Sequence, residues 1–565
     1  MSAPIRADVL IVGAGPVGLT LAMDLASRGI RTIVVETRRY AEPPNVKCNH
    51  VAARSMEVFR RLGVAQKLRN AGLPPDYPND VVFRTAACGI ELARIPIPCR
   101  RDRYTATGGP DTWWPTPEPP HRINQLFLEP ILLEHTAALP QVTLLNRTQL
   151  LSFDQPDRTV QALVRDLDTG EEHRIATRFL VGCDGGSSTV RKQIGAKLEG
   201  TPVIQRVQST LIRAPALKAM LPGKPAWSYY SINPRRCGTM FSIDGHETWL
   251  VHNHLNPDEP EFESVDRDGS IRNILGVRPD FHYEIVSKED WVGRRLVADR
   301  FRDRNVFLAG DAAHLWVPYA GYGMNAGIAD ATNLSWLLAA HLQGWGDQRI
   351  LGAYEAERQP ITEQVSHFAM DHAQKMIRAR RAVPPNIEDA GPAGEAARTE
   401  VGREAYDLNV QQFCCAGLNF GYFYTGSPIL ARDDPETPPA YSMGEFTEST
   451  VPGCRAPHFW LDDSRSLYDA IGHGYTLLRF DARVDVAPLA NAATMRHVPL
   501  LVFDVEPGVA IPPAYRHKLV LCRADQHVAW RGDEVPQDAV GLVDLLRGAR
   551  DAVLHLSGER PGGAV

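Results

Sequence analysis

Three glycines and one carboxylate near the N-terminus have the types and spacing needed to bind a dinucleotide. Gly13, Gly15 and Gly18 form a G-x-G-x-x-G pattern after a short apolar run, and Glu36 ends the next apolar run. The first glycine permits a tight turn, the second lets a pyrophosphate approach the backbone, and the third lets helix pack on strand. Free N–H groups at the start of the helix favour phosphate, and the acid can accept ribose hydroxyls. An acid here favours a ribose without a 2′-phosphate, which leaves FAD and NAD open.

Two distant segments point to FAD rather than NAD. In each, an apolar run ends in a pair of glycine and aspartate, and the second pair is followed by a glycine-rich loop and a helix. Asp311 can bind a ribityl hydroxyl, and the N–H groups at the start of the following helix can support negative charge on one edge of a flavin. The residues concerned are Asp184, Gly185 and Arg191 in the first segment, and Gly310, Asp311, Gly321, Gly323, Met324 and Asn325 in the second.

The elements that position these residues follow from hydrophobic periodicity. Residues 7–12 and 31–35 are short and continuously apolar, which is typical of strands buried on both faces of a parallel sheet. The segment between them has helical periodicity, so the order is strand, glycine turn, helix, strand and acid. This order predicts an α/β fold built on a Rossmann-type nucleotide-binding unit.

Together these segments resemble those of the class A FAD-dependent aromatic hydroxylases, the family of p-hydroxybenzoate hydroxylase and phenol hydroxylase. The resemblance covers about residues 5–380 and rests on three FAD segments that follow one another in the same order. Supporting matches are Arg54-Ser55-Met56-Glu57, His121-Arg122-Ile123-Asn124-Gln125, Asp330 with Asn333, Leu334 and Trp336, and Tyr354-Glu355-Ala356-Glu357-Arg358-Gln359-Pro360.

The resemblance implies a Rossmann-type FAD-binding domain interleaved with a β-sheet substrate domain, followed by a thioredoxin-like α/β module. The expected boundaries are 1–70, 106–199 and 291–380 for the FAD-binding domain, 71–105 and 200–290 for the substrate domain, 381–450 for a linker and docking segment, and 451–565 for the C-terminal module. The residues expected to bind FAD or the passing nicotinamide are Gly13, Gly15, Pro16, Gly18, Glu36, Thr37, Arg38, Lys47, Gln125, Asp184, Gly185, Arg191, Gly310, Asp311, Pro318, Gly321, Gly323, Met324 and Asn325.

The activity that the resemblance implies is that of a monooxygenase. Such an enzyme reduces FAD with NADPH or NADH, forms a flavin C4a-hydroperoxide with O2, and hydroxylates a phenolic or polycyclic aromatic substrate. The sequence has no second strand–glycine turn–helix unit, so NAD(P)H is expected to dock transiently. Epoxidation or Baeyer–Villiger oxygen insertion on the same scaffold, and a non-catalytic FAD-binding scaffold, stay open as alternatives.

The candidates for the group that activates the substrate lie mostly between the FAD segments. Two strand-like runs surround Asp244-Gly245-His246, a turn signal, and predict a hairpin. On its second strand Leu250, His252 and His254 share one face, and the sequence does not tell which face lines the pocket. A histidine near its unperturbed pKa of ~6.5 suits proton transfer from a phenol. The candidate catalytic residues are His252, His254, Tyr229, Asn49, His50 and, from the resemblance, Pro318 through its carbonyl.

Asn49 and an arginine doublet bear on how the substrate is held. Asn49 stands where phenol hydroxylase-like members have a carboxylate, and its amide cannot act as a base, so phenol activation is expected to move to a histidine. The doublet Arg235-Arg236 has two interpretations, a contact with a substrate carboxylate or a solvated turn.

Composition bounds the partners and the compartment. The 565 residues carry 61 Lys and Arg against 67 Asp and Glu, a formal net charge of −6, which gives no electrostatic case for binding nucleic acid or an anionic membrane. The N-terminus lacks the apolar core of a signal peptide, and the nine cysteines have neither C-x-x-C nor zinc-ligand spacing. We therefore expect a cytoplasmic enzyme with no metal and a small aromatic substrate, and a homodimer is compatible with the sequence.

The last third of the chain has a different character. Residues 381–450 contain Pro and Gly clusters, which predict linker and loops. Residues 451–565 combine apolar runs with a terminal segment of helical periodicity, and residues 521–531 resemble the thioredoxin-like tail of phenol hydroxylase-type members. Because this module has no C-x-x-C, a structural or dimer-stabilising role is expected rather than thiol redox chemistry.

Overall fold

The apolar runs of the sequence form strands, and the segments of helical periodicity form helices around them. The computed structural model describes residues 5–44, 46–47, 49–432, 436–462 and 464–550, so residues 551–565 of the predicted C-terminal module lie outside the described residues. The strands are β1 (Ile5–Arg6), β2 (Val9–Val12), β3 (Thr32–Val35), β4 (Val81–Arg84), β5 (Glu91–Ile95), β6 (Val142–Leu145), β7 (Thr148–Asp154), β8 (Val160–Asp166), β9 (Glu172–Thr177), β10 (Phe179–Gly182), β11 (Leu198–Arg213), β12 (Ser228–Ser231), β13 (Gly238–Ser242), β14 (Thr248–His254), β15 (Glu284–Lys288), β16 (Trp291–Ala298), β17 (Arg302–Asp303), β18 (Val306–Leu308), β19 (His314–Trp316), β20 (Tyr475–Arg479), β21 (Leu500–Asp504), β22 (Leu519–Cys522) and β23 (Val528–Gly532). The α-helices are α1 (Pro16–Ser27), α2 (Ala53–Arg61), α3 (Ala65–Arg69), α4 (Gln125–Ala137), α5 (Thr189–Gln193), α6 (Leu217–Met220), α7 (Arg267–Leu275), α8 (Tyr322–Leu342), α9 (Gly352–Arg381), α10 (Pro392–Phe413), α11 (Leu467–Ala470), α12 (Ala487–Met495) and α13 (Ala539–Leu546).

A six-stranded sheet in the order β17-β18-β10-β2-β3-β6 carries the nucleotide-binding elements. Its neighbours are parallel except for β17 and β18, and β2, β3, β10 and β18 are buried along their whole length. The predicted strand–turn–helix–strand unit is confirmed by β2, α1 and β3. Because the carboxyl ends of parallel strands meet at one edge, the glycine turn, Glu36 and the two glycine–aspartate pairs come together there.

A nine-stranded sheet contains the elements expected to roof the substrate. Its order is β19-β16-β11-β14-β13-β12-β4-β5, with β15 pairing onto β11. The predicted hairpin is confirmed: β13 and β14 are antiparallel, and Asp244 closes the turn by accepting the N–H groups of His246, Glu247 and Thr248 at 2.8, 3.0 and 3.1 Å. Strand β19 joins this sheet immediately after the Gly310-Asp311 pair, so the sheet reaches the nucleotide-binding edge directly.

The C-terminal residues form their own sheet in the order β21-β20-β22-β23. Strands β20 and β21 are parallel and joined through α12, whereas β22 and β23 are antiparallel and lead to α13. The strands and the terminal helix that the apolar runs predicted are present as β20, β21, β22 and α13. A further sheet, β1-β9-β8-β7, flanks the nucleotide-binding unit through β1 and β9.

The segment predicted as linker and loops contains the 22-residue helix α10. Pro392 is at the first helical position, where the missing N–H costs no hydrogen bond. A side chain at Gly402 would meet the carbonyl oxygen of Leu92 at 2.3 Å, so the glycine lets the helix approach β5 closely. The Pro and Gly residues in this stretch therefore mark a helix start and a close packing contact.

Buried ion pairs join the C-terminal sheet to the nucleotide-binding part. Arg523 donates to both carboxylate oxygens of Glu357 at 2.6 and 2.8 Å, and both side chains are 0% exposed. Arg455 and Arg54 both pair with the buried Glu57. Two of the segments that carry the family resemblance, around Glu57 and Glu357, thus hold the C-terminal sheet in place in this chain.

Candidate cofactor and substrate site

The glycine turn between β2 and α1 has the shape that a pyrophosphate requires. Gly13 has φ +104°, and a side chain there would meet the carbonyl oxygen of Cys183 at 2.4 Å. A side chain at Gly18 would meet the carbonyl oxygen of Gly13 at 2.0 Å. Gly15 differs, because the space where its side chain would stand has no protein atom within 4 Å. With Pro16 opening α1, this space lies at the N–H end of the helix, where a phosphate binds favourably.

Glu36 is held ready to accept ribose hydroxyls. Its Oε2 accepts the N–H of Ala14 at 2.8 Å, and its Oε1 accepts the N–H of Arg38 at 3.0 Å. These hydrogen bonds and the Arg38 charge outweigh burial and lower the pKa of Glu36, so the carboxylate is ionised near neutral pH. Arg38 also pairs with Glu129 at 2.6 Å, and the Thr37 hydroxyl donates to Glu36 at 3.3 Å.

The side chains of Asp184 and Arg191 form hydrogen bonds with other groups of the protein. The Asp184 carboxylate accepts the Ser188 hydroxyl at 2.5 Å and the N–H of Thr189 at 2.7 Å, which caps α5. Arg191 donates to the carbonyls of Gly186 at 2.9 Å and Ala312 at 3.1 Å. Asp184 and Arg191 therefore fix the two glycine–aspartate segments against each other. Gly185, which directly follows Asp184, has the left-handed backbone conformation that this turn requires.

Asp311 lies open to the groove that these segments enclose. No hydrogen bond among the described residues uses its carboxylate, although its neighbour Gly310 donates its N–H to Asp330 at 3.1 Å. Asp330 in turn pairs with His314 at 2.7 Å and Arg358 at 2.8 Å, all fully buried. Surrounding protein raises the pKa of Asp311, with His314 and Lys47 acting in the opposite sense. The backbone next to Asp311 is thus fixed by Asp330, while the Asp311 carboxylate has no hydrogen-bond donor among the described residues. This arrangement suits a ribityl hydroxyl of FAD.

Replacing Asp311 with alanine should weaken FAD binding without unfolding the protein. A hydrogen bond to a charged group contributes about 1.5–3 kcal/mol, so the Kd for FAD should rise by roughly 10- to 150-fold. Titration of apoprotein with FAD, followed by flavin fluorescence, measures the change. The matched control is Asp280→Ala, which removes an exposed aspartate that pairs with exposed Arg278. Equal FAD affinity for the two variants would show that Asp311 does not contribute to FAD binding.

The loop after β19 forms the end of the groove. Pro318 is exposed, and its carbonyl accepts the N–H of Gly321 at 3.3 Å with a second lone pair still open to a ligand. Helix α8 begins at Tyr322, two residues before the predicted Met324-Asn325 start. The Asn325 side chain is buried and binds Gly321, His50 and Ala52 backbone atoms at 2.6, 3.2 and 2.8 Å, so it shapes the loop through protein contacts. Gly323 and Met324 are half-buried at the helix start.

His50 lies against this loop, because its Cβ is 3.1 Å from the position of a side chain at Gly321. Lys47 is exposed, close enough to act electrostatically on Asp311. Asn49 accepts a hydrogen bond from the Asn124 amide, and Gln125 donates to Glu129 at 2.8 Å.

His50 is buried, and its Nδ1 forms a hydrogen bond with the Arg122 guanidinium. Burial and the Arg122 charge lower the pKa of His50 well below its usual value, so it is neutral at physiological pH. We therefore expect His50 to accept a hydrogen bond from Arg122 rather than to take a proton from the substrate.

The histidine face of β14 points toward the nucleotide-binding part. Leu250 on this face packs against Val46, whereas Trp249 and Val251 on the other face pack with Tyr229 under α7. The sequence candidate Tyr229 is therefore on the face of the sheet opposite His252 and His254. Its neighbour Tyr230, which offers a second phenolic group, faces the same side as the histidines because strand residues alternate.

A cavity of about 330 Å³ lies on this side of the sheet. Its opposite wall is formed by the ends of α9 and α10, in or next to the segment that the sequence predicted as linker. A volume in this range suits a small-molecule ligand. Lining residues that bear on chemistry are Phe83, Tyr230, Thr239, His254, Met376 and Arg380.

The imidazoles on this face are neutral. His252 lies between the rings of Phe241 and Trp291, at centroid distances of 5.5 and 5.9 Å, and burial lowers its pKa to about 4. His254 shares a hydrogen bond of 3.2 Å with the Thr239 hydroxyl. Burial and the nearby Arg380 lower its pKa well below the usual value. Both side chains can form hydrogen bonds to a phenol, but neither has the proton affinity of a free histidine.

The low pKa of His252 predicts a pH-dependent contribution to stability. Its folded-state pKa of about 4 is below the value of ~6.5 expected in the unfolded chain, so on acidification the unfolded state binds the proton first. The free energy of unfolding contributed by His252 is thus present above about pH 6.5 and lost as the pH falls toward 4. Urea unfolding gives the free energy of unfolding at about pH 7 and at about pH 5. The decrease between these two pH values should be smaller for His252→Asn than for the parent protein. An equal loss in both would mean that His252 titrates normally.

Within the ranges that the structure covers, no helix is both long and apolar enough to cross a membrane. In the same residues, no group of three or more His, Cys, Asp or Glu side chains is arranged to hold a metal ion.

Comparison with known proteins agrees with this geometry. Residues 6–369 match the family described as FAD binding domain, and residues 449–560 match the family described as aromatic-ring hydroxylase, C-terminal. The chain is 31% identical to aklavinone 12-hydroxylase RdmE of Streptomyces purpurascens over 96% of this chain and 99% of that protein.

Solved structures of similar proteins extend over nearly the whole chain. RebC with bound 7-carboxy-K252c has a TM-score of 0.87 and 36% identity, covering 97% of this chain and 100% of RebC. A ternary complex of aklavinone-11 hydroxylase with FAD and aklavinone has a TM-score of 0.78 and 30% identity, covering 97% and 99%. With the glycine turn, Glu36 and Asp311 arranged around one groove, the chain belongs to the class A FAD-dependent aromatic hydroxylases, flavoprotein monooxygenases that use NAD(P)H and O2.

Proposed function

We propose that this monooxygenase hydroxylates a phenolic or polycyclic aromatic compound bound in the cavity beneath the nine-stranded sheet. The observation that carries the proposal is the junction between cavity and cofactor groove. Arg380 lines the cavity, and its Nη1 lies 3.4 Å from the hydroxyl of Tyr319, the residue after Pro318 in the loop at the end of the groove. A ring in the cavity would thus lie beside the flavin-binding loop. The similar aklavinone-11 hydroxylase, solved with FAD and aklavinone, supports an aromatic occupant.

The residues of this chain have separate tasks in that reaction. Bound FAD would supply the redox chemistry, namely acceptance of a hydride from NADH or NADPH and transfer of one oxygen atom from O2. The N–H groups at the start of α1 would hold the phosphates, Glu36 would hold a ribose, and Asp311 would hold the ribityl chain. Helix α10 closes the cavity from the side opposite the sheet and limits access of water to the reacting ring.

Substrate activation is assigned to hydrogen bonding by neutral groups. The Thr239–His254 pair lies on the cavity wall, and a neutral imidazole can accept the hydrogen of a phenol. Tyr230 also lines the cavity, and burial raises its pKa, so its hydroxyl stays protonated and can donate to an oxygen of the substrate. Both groups orient the ring, and acceptance of the phenol hydrogen by His254 increases the electron density of the ring without a formal proton transfer.

The test is NAD(P)H consumption by the FAD-loaded enzyme. Each nicotinamide would be paired with phenols, hydroxybenzoates and larger polycyclic aromatics, and hydrogen peroxide would be measured in parallel. A compound that speeds oxidation severalfold with little peroxide supports hydroxylation and identifies the substrate class. Stimulation matched by an equal amount of peroxide would mark an effector that is not hydroxylated, and no stimulation by any aromatic would favour another oxygen insertion or a non-catalytic role.

We also infer that the C-terminal module is thioredoxin-like in topology and structural in role. A parallel β–α–β unit (β20, α12, β21) followed by an antiparallel β–β–α unit (β22, β23, α13) supports this assignment. The described cysteines are all free, and those in the module, Cys454 and Cys522, are buried with raised pKa values. Free thiols also support a reducing compartment such as the cytoplasm.

A further inference from the structure

We propose that Arg380 binds an anionic oxygen of the aromatic substrate and thereby sets which compounds this enzyme accepts. The inference rests on the proposed function, since it concerns the occupant of the same cavity. It goes further by naming a chemical feature that the substrate must carry and the side chain that recognises it.

Arg380 differs from the arginine doublet in its ion pairing. Within the described part of the chain, no carboxylate lies within ion-pair distance of its guanidinium, whereas Arg235, Arg236 and Arg403 each have a carboxylate partner. Arg235 pairs with Glu388, and Arg236 pairs with Glu259 at 2.9 Å. The arginine doublet that the sequence offered as a carboxylate contact is therefore already neutralised. Arg380, at the C-terminal end of α9, is not.

The guanidinium of Arg380 is positioned by two neutral partners. Its Nη2 donates to the Gln205 Oε1 at 2.6 Å, and its Nη1 donates to the Tyr319 hydroxyl at 3.4 Å. Gln205 is buried and is itself fixed, because its amide donates to the carbonyls of Leu255 at 2.7 Å and Arg206 at 3.0 Å. A guanidinium has five N–H donors, so this arrangement orients the group and leaves donors for a ligand.

The rest of the cavity provides no competing charge at that end. His254 is neutral, and burial raises the pKa of Tyr230. The acidic lining residues Glu404 and Asp407 are about two-thirds exposed and lie within 4.0 and 3.6 Å of Arg403, at the rim. An oxygen anion placed against Arg380 would therefore meet a half-buried, preorganised cation, the setting in which charge-assisted hydrogen bonds are strong.

The anionic oxygen can belong to a ring carboxylate or to an ionised phenol. Both present the same chemistry to a guanidinium, and a carboxylate adds the option of two parallel hydrogen bonds. Three naphthalene probes separate these sources at neutral pH: 3-hydroxy-2-naphthoate carries a carboxylate, 2,4-dinitro-1-naphtholate carries only an ionised phenol, and 3-hydroxy-2-naphthamide is neutral.

The experiment is isothermal titration of the FAD-loaded enzyme with each probe in the absence of NAD(P)H. The parent protein should bind at least one anion roughly 10- to 100-fold more tightly than the amide. Arg380→Gln should abolish that preference, and Arg380→Lys should keep part of it because the charge remains. The matched control is Arg403→Gln, which removes an equal charge from the rim of the same cavity and should leave the preference unchanged. Whichever anion binds better identifies the source of the oxygen.

Three results would overturn the assignment: equal binding of the amide and both anions, an anion preference that survives in Arg380→Gln, or no binding of any probe. FAD absorbance and thermal unfolding confirm that each variant is folded and loaded. The outcome is separable from that of the proposed function, which is read from NAD(P)H oxidation. Aromatic-stimulated oxidation with no role for Arg380 would refute only the present inference, whereas Arg380-dependent binding without oxidation would refute only hydroxylation.

Discussion

Gly15→Val should produce a folded protein that no longer retains FAD. The space where a side chain at Gly15 would stand contains no protein atom within 4 Å, and the backbone there, with φ −74° and ψ 178°, suits any residue. Valine would fill the space that a pyrophosphate needs in order to reach the N–H groups of α1. Losing two hydrogen bonds to phosphate, at about 1.5–3 kcal/mol each, should weaken FAD binding by at least about 100-fold. Gel filtration followed by absorbance at flavin wavelengths would show the loss.

The controls for Gly15→Val are two other glycine substitutions. Gly352→Ala also places its side chain in open space, at the start of α9, and should retain FAD. Gly13→Ala should fail in a different way, by impairing folding, because φ +104° and a contact of 2.4 Å to the Cys183 carbonyl exclude a side chain. A Gly15→Val protein that still binds FAD with unchanged affinity would show that the pyrophosphate lies elsewhere.

Arg523→Met should be among the most destabilising single substitutions in the chain. Arg523 compensates both Glu357 and Asp525 in a region that is nearly or fully excluded from solvent. Removing one member of a buried ion pair leaves an uncompensated charge, which costs about 3–5 kcal/mol. Denaturant unfolding would show this as a lower midpoint, and limited proteolysis should detect release of the C-terminal sheet, which this pair holds against the nucleotide-binding part.

A double-mutant cycle separates charge burial from loss of packing. Glu357→Gln alone removes one of the two carboxylates that pair with Arg523. The double variant Glu357→Gln with Arg523→Met should lower the free energy of unfolding by less than the sum of the two single decreases. The exposed pair of Arg403 and Asp407 provides the reference, and Asp407→Asn should change stability by less than about 0.5 kcal/mol. A loss for Arg523→Met as small as that for Asp407→Asn would contradict a docking role for the buried pair.

The nucleotide-binding site was predictable because its requirements are local. Gly13 and Gly18 are demanded by close backbone contacts within one turn, and Glu36 follows directly from the end of β3. Parallel strands then bring the distant Asp311 to the same edge, so apolar runs ending in polar residues were sufficient to find it. Asp184 and Arg191 belong to the same edge, but their side chains serve α5 and neighbouring carbonyls. Spacing alone does not tell a ligand contact from such internal support.

The substrate side was less predictable because it depends on tertiary packing. Tyr229 and Tyr230 are adjacent on β12 and therefore face opposite sides of the sheet. The position of α7 decides which of the two sides is covered. The far wall of the cavity comes from α10, whose Pro and Gly residues looked like linker. Arg380 carried no sequence signal either, since its proposed role depends on which arginines pair with carboxylates in the folded chain.

Insertion of one oxygen atom from O2 into an aromatic ring is the reaction proposed for this chain. The most direct measurement is mass spectrometry of the product formed under 18O2 with the compound that best stimulates NAD(P)H oxidation. We expect a product heavier by one oxygen atom, and that atom should carry the label. A product that takes its oxygen from water, or stimulated oxidation with no oxygenated product at all, would contradict the proposed reaction.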